Sequence, residues 1–137
     1  MLPAFSRRHF FYISFALTPP SILALINETR TRHKRRPLLA DQRLTKAAQI
    51  RANDMARRGY FSHNTPEGRD PWSYIKEAGF LYSEAGENLS MDWQTPQAVH
   101  DAWMKSAPHR ANILNPNFTH TGLGVANKIV VQLFAVP

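Results

Sequence analysis

Apolar residues recur at helical spacing in four stretches of the chain. Ile22, Leu25 and Ile26 stand at i, i+3 and i+4 after Ser21. That spacing predicts a helix capped by the serine and finished before Pro37, since the residue ahead of a proline avoids the α region. Leu44, Ala47, Ala48, Ala52 and Met55 form an inward stripe behind Asp41, a second cap. Arg57 and Arg58 fall in the last turn, where cations suit the helix dipole, and Gly59 is placed to take the left-handed conformation beyond it. Asp70-Pro71 and Thr95-Pro96 are each a cap followed by proline at the first helical position. The first predicts a helix with Trp72, Ile75 and Ala78 inside and Gly79 as its stop. The second predicts a helix with Val99, Ala102, Trp103 and Ser106 on one face. Three β-rich runs remain: a short strand over Gly86–Met91, and Gly122–Ala126 with Ile129–Val136 as a hairpin around Asn127-Lys128. These elements form one α+β unit without internal repeat or low-complexity tract.

Composition agrees with one ordered domain. The chain has 137 residues, 43% hydrophobic and 20% charged. A chain of that length buries roughly two-thirds of its unfolded surface and folds without a metal or disulfide. It contains no cysteine, which excludes a disulfide scaffold, a Cys-ligated zinc site, an iron–sulfur centre and a thiol nucleophile. No apolar run reaches the 18 or so residues of a clean membrane-spanning helix.

Charge divides the chain in two. Residues 1–58 hold 12 Lys and Arg against 3 acidic residues, a net of +9, and residues 59–137 hold 5 against 7, a net of −2. The densest stretch is Arg30, Arg32, Lys34, Arg35 and Arg36. An anionic partner (membrane headgroups, cell-wall polymer or nucleic acid) is one reading. A solvated helix face running into a basic loop is the plainer one and is preferred. Aromatic residues are not interleaved with the cluster, which argues against a nucleic-acid surface.

Residues 1–20 read as an address or an irregular N-terminal arm, and residues 21–137 as the domain. Arg7 and Arg8 precede the apolar run Phe10–Leu17, which Thr18, Pro19, Pro20 and Ser21 interrupt. A basic start and a short apolar run are the physical signature of an export signal. Ser6-Arg7-Arg8-His9-Phe10-Phe11 resembles the twin-arginine motif. No Ala-x-Ala cleavage site follows it.

Four polar residues lie just past helix ends or at the start of a strand: His63, Glu87, Ser106 and His109. No spacing among them is a known metal motif, since the two histidines stand 46 positions apart and nothing reads His-Glu-x-x-His. From spacing alone they are two loop histidines, a strand carboxylate and a hydroxyl on a helix stripe.

Three segments add weight by their order: Phe61-Ser62-His63, Gly86-Glu87-Asn88-Leu89, and Trp103 through Leu114 with its Ser106-Ala107-Pro108-His109-Arg110. Leu25–Arg30, Leu44–Ala56, Asn115–Phe118 and Gly122–Val125 fall in place around them. Taken together, in order, they strongly resemble the CAP superfamily, also called SCP-like, in its short bacterial form. The resemblance spans about residues 22–136. It implies an α-β-α sandwich, with a small, mainly antiparallel sheet between helical layers. It also implies an open cavity lined by two His and two acidic residues, of which His63, Glu87 and His109 match three. The fourth position carries Ser106. Relatives place aromatic-Thr-Gln in the late strand where this chain has Val130-Val131-Gln132, which implies that an aromatic wall is absent.

The resemblance implies a binding or interaction module, exported to the periplasm, cell envelope or extracellular space. The alternative is a hydrolase acting on envelope or peptide substrates, either metal-assisted or built on Ser106 and His109. His63 and His109, with Glu87, are the residues for a divalent cation such as zinc, although no cofactor is required. Without metal, Glu87 favours a protonated neighbouring histidine. Asn88 and Arg110 are expected to brace the loops, and Trp72 and Trp103 to sit in the core. The expected partner is an anionic envelope polymer, a lipid or a protein, and not nucleic acid.

Overall fold

The computed structural model describes residues 16–137. The signal-like motif at Ser6–Phe11 lies outside the described residues. Among the described residues five helices and four strands follow in the order α1 (Pro19–Arg32), β1 (Leu39–Ala40), α2 (Gln42–Arg58), α3 (Pro71–Glu77), β2 (Glu84–Met91), α4 (Pro96–Met104), α5 (Ala107–Leu114), β3 (His120–Ala126) and β4 (Ile129–Val136). Among the described residues no helix is long and apolar enough to cross a membrane.

Most boundaries follow from caps. Asp41 accepts the N–H groups of Arg43 and Leu44, Asp70 that of Ser73, and Thr95 that of Ala98. Gly59 ends α2 at φ 70°, in the left-handed region. The β3–β4 hairpin turns on Asn127 and Lys128, both at positive φ, as a two-residue primed turn requires.

Several elements differ from the sequence expectation: β2 and β3 each begin two residues early, at Glu84 and His120, and three further differences have local causes. The cap of α1 is Thr18, not Ser21, and Pro19 and Pro20 open the helix instead of interrupting the chain. Proline is at home there because the first-turn N–H groups have no partner in any case. Next, α4 stops at Met104, so Ser106 is not on its face but stands as the N-cap residue of α5, a helix the hydrophobic pattern did not reveal. Only Ile113 of α5 is buried, which leaves too weak a stripe to read. Finally, β1 is a two-residue strand, too short for any periodicity.

The sheet runs β1-β3-β4-β2, with β1 parallel to β3 and the other pairs antiparallel. β4 is central, and its side chains divide strictly by parity. Ile129, Val131, Leu133 and Ala135 join the core under α2 and α3, while Val130 and Phe134 join the core under α1, α4 and α5. The fold is therefore the expected α+β sandwich, with helical layers on both faces of the sheet.

Close contact with α2 depends on two glycines in β3. A Cβ on Gly122 would lie 2.1 Å from the α2 backbone at Leu44 and Thr45, and one on Gly124 would lie 2.5 Å from Gln49. β2 is an edge strand. Its outward carbonyls are met by side chains of the α4–α5 layer: Trp103 Nε1 donates to Leu89 O at 2.9 Å, and Asn112 Nδ2 to Glu87 O at 3.3 Å.

Candidate functional site

At this edge the predicted site residues form two pairs: His63 and Glu87 contact each other, while Ser106 and His109 line the neighbouring cleft. Glu87 lies on β2 with its carboxylate buried. His63 comes from the loop after α2, and its Nδ1 lies 2.7 Å from Glu87 Oε1. His109 comes from the first turn of α5, in the opposite layer. Asn88 fixes it from beneath by donating Nδ2 to His109 O at 3.1 Å and accepting from Asn112 Nδ2 at 2.9 Å. Asn88 thereby ties β2 to α5. Arg110 is exposed, and its backbone N–H closes the first turn of α5 on Ser106 O.

The residue that organises the site is Arg51, which the sequence reading passed over. Its side chain is 0% exposed. Its Nε donates to Glu87 Oε2 at 2.5 Å and its Nη2 to Glu87 Oε1 at 2.9 Å. Nη2 also reaches the carbonyls of His63, at 2.8 Å, and Ser62, at 3.2 Å. One guanidinium therefore holds both the carboxylate and the loop that carries His63. The bidentate fork fits the planar carboxylate as an ammonium would not. A second tie, Tyr60 Oη donating to Asp54 at 2.6 Å, fastens the start of the same loop to α2. A signal for Arg51 did exist. Leu44, Ala48, Arg51 and Met55 run at i, i+4, i+7 and i+11, so the arginine falls on the inward stripe.

His109 is the titrating group whose environment is most telling. Burial pushes its pKa below the ordinary value near 6.5, and the neighbouring charge of His63 lowers it further. The imidazole therefore prefers its neutral form. The ring also lies 6.5 Å, centroid to centroid, from that of buried Trp103. Trp103 belongs to the core, as expected, and also forms the floor of a cleft. Trp72 packs half-buried against the α2–α3 core.

That cleft encloses about 290 Å³ beside β2, with Ser106 and His109 on one bank and Phe61 and Trp93 among its walls. An aromatic wall is therefore present, though it comes from loop residues rather than from β4. Val130 and Val131 of β4 point into the two cores, and Gln132 is buried against Thr121. Ser106 Oγ makes no capping bond.

A divalent cation does not fit the donor set. Among the described residues no three His, Asp, Glu or Cys side chains stand close enough to share one. Both oxygens of Glu87 already face Arg51 or His63, and a fixed guanidinium beside the carboxylate repels a second positive charge.

The order of motifs and the sandwich agree with what comparison with known proteins finds. The cysteine-rich secretory protein family profile, CAP, matches residues 23–132. The chain belongs to the CAP family. It does so without a single cysteine, so no disulfide supports the fold here. This CAP domain is 42% identical over 103 residues to the uncharacterized protein YkwD of Bacillus subtilis, covering 75% of the chain and 40% of YkwD. It is 32% identical over 113 residues to the membrane protein YlbC of the same organism, covering 82% of the chain and 33% of YlbC. Among solved structures, an extracellular SCP-domain protein of Bacillus anthracis matches with a TM-score of 0.84 and 31% identity, over 87% of this chain and 40% of that one. The CAP domain thus spans well under half the length of these relatives.

Proposed function

We propose that this CAP domain is an extracellular binding module of the cell envelope, with its ligand entering the cleft at the open edge of β2. The observation that carries the reading is the enclosure of Glu87. Its carboxylate is 1% exposed, is held by an arginine fork and an imidazole, and stands outside the lining of the cleft, so it is not placed to take a proton from a substrate there. The same contacts fix the His63 loop, which is what a preformed recognition surface requires. Nothing in the arrangement needs a resident metal. The extracellular placement draws support from the Bacillus anthracis relative, which is described as an extracellular protein.

The test is retention of the purified full chain on isolated bacterial cell envelopes, alongside turnover assays on peptide, ester and peptidoglycan substrates. The expected result is saturable retention without turnover or stoichiometric zinc. His63→Ala/His109→Ala should lose retention at an unchanged melting temperature. Turnover that the double variant abolishes would instead make the domain a hydrolase.

A further inference from the structure

Beyond His109, the cleft has three features that the binding reading leaves unused. Ser90 lines it, is only 5% exposed, and its Oγ has no hydrogen-bond partner. A buried hydroxyl without a partner is uncommon and costs about 1–3 kcal/mol unless something else supplies the bond. Trp93 is 48% exposed at the mouth, with Phe61 and Met91 also exposed beside it. Large apolar side chains gathered at one cleft mark a contact surface rather than chance exposure. Lastly, the lining carries no formal charge, because its single titratable residue is His109, which burial and His63 keep toward neutrality.

We propose that this cleft is a subsite for one uncharged sugar ring of a glycan chain, a proposal that rests on the binding reading above and names its ligand class. A pyranose has an apolar C–H face and a rim of hydroxyls. The face stacks on Trp93, with Phe61 and Met91 at the side. The rim bonds to Ser90 Oγ, to Ser106 Oγ and to the neutral imidazole of His109, which can donate or accept. The volume, at the low end of the ~300–1,000 Å³ of small-molecule pockets, suits a single ring rather than a larger ligand.

Other ligand classes fit less well. An acyl chain would cover the aromatics but leave Ser90 without its bond. An anionic group would find no formal cation in the lining. A peptide added as a further strand on β2 would compete with Trp103 and Asn112 for the carbonyls of Leu89 and Glu87.

The experiment titrates the full chain with tetra-N-acetylchitotetraose, a neutral oligosaccharide, and follows tryptophan fluorescence at low and high salt. Octanoate and polygalacturonate serve as the apolar and anionic probes. The expected result is saturable binding of the neutral sugar that salt leaves unchanged. Trp93→Ala and Ser90→Ala should each weaken it roughly tenfold, the size of one lost stacking or hydrogen-bonding contact. Trp93 is half-exposed, so its variant should keep the wild-type melting temperature, and Ser90→Ala is an independent check on the other wall. Binding of octanoate or polygalacturonate alone overturns the proposal, as does sugar binding that both variants retain. Retention on envelopes without sugar binding defeats this inference and leaves the binding module standing. Loss of both defeats the two together.

Discussion

Arg51 and Glu87 are the residues whose exchange should be felt most strongly. Their side chains are 0% and 1% exposed, and each is the other's main partner. Removing one leaves a charge buried without its counter-ion, which typically costs about 3–5 kcal/mol, whereas replacing both with apolar side chains of similar volume is often neutral. Arg51→Met should therefore lose about that much stability in urea unfolding, and Arg51→Met/Glu87→Leu should recover most of it while releasing His63. His109 gives a second, pH-dependent effect. Its pKa is lowered in the folded chain, so on acidification the unfolded chain takes up a proton that the folded one resists. Stability from this group is intact well above the unfolded value of about 6.5 and is lost as pH falls through it. His109→Gln should flatten that part of the stability–pH curve, as read by denaturant midpoints at a series of pH values.

Elements in this fold are held by local chemistry at their ends and by close approach in their middles. The caps at Asp41, Asp70 and Thr95 were legible because a side-chain acceptor followed by a proline or an apolar period has one common use. The approach of α2 to β3 was not legible as a contact, although both glycines sat in a recognised strand. Gly122 takes no special φ; it is required because a methyl group would enter the α2 backbone. Backbone cannot yield as a side-chain tip can. Gly122→Ala should cost at least about 3 kcal/mol, at or beyond the upper end of ordinary overpacking, and lower the melting temperature sharply in calorimetry. The basic stretch at the end of α1 likewise serves the fold more than charge counting suggested. Arg30 is fully buried, donating to the carbonyls of Arg36, Ile113, Asn115 and Phe118, and Arg35 reaches Leu114 O. Together they satisfy the carbonyl end of α5, a helix with little apolar stripe of its own.

In the whole molecule, two cores share one sheet, and the site opens where that sheet ends. Hydrophobic period and cap chemistry are local properties, and they determined by themselves the four longer-patterned helices, the hairpin and the α+β class. The family resemblance named His63, Glu87 and His109, but neither resemblance nor periodicity said what stands between them. Tertiary structure alone decided that an arginine from α2 would neutralise Glu87, that Ser106 would begin a helix rather than line one, and that Phe61 and Trp93 would wall the cleft. The physical reason is range. Caps and amphipathic stripes are settled within a few residues of chain, whereas an ion pair joins positions 51 and 87 only after α2 has been laid across the sheet. A sequence records the arginine's charge; only the packed layers give that charge its partner.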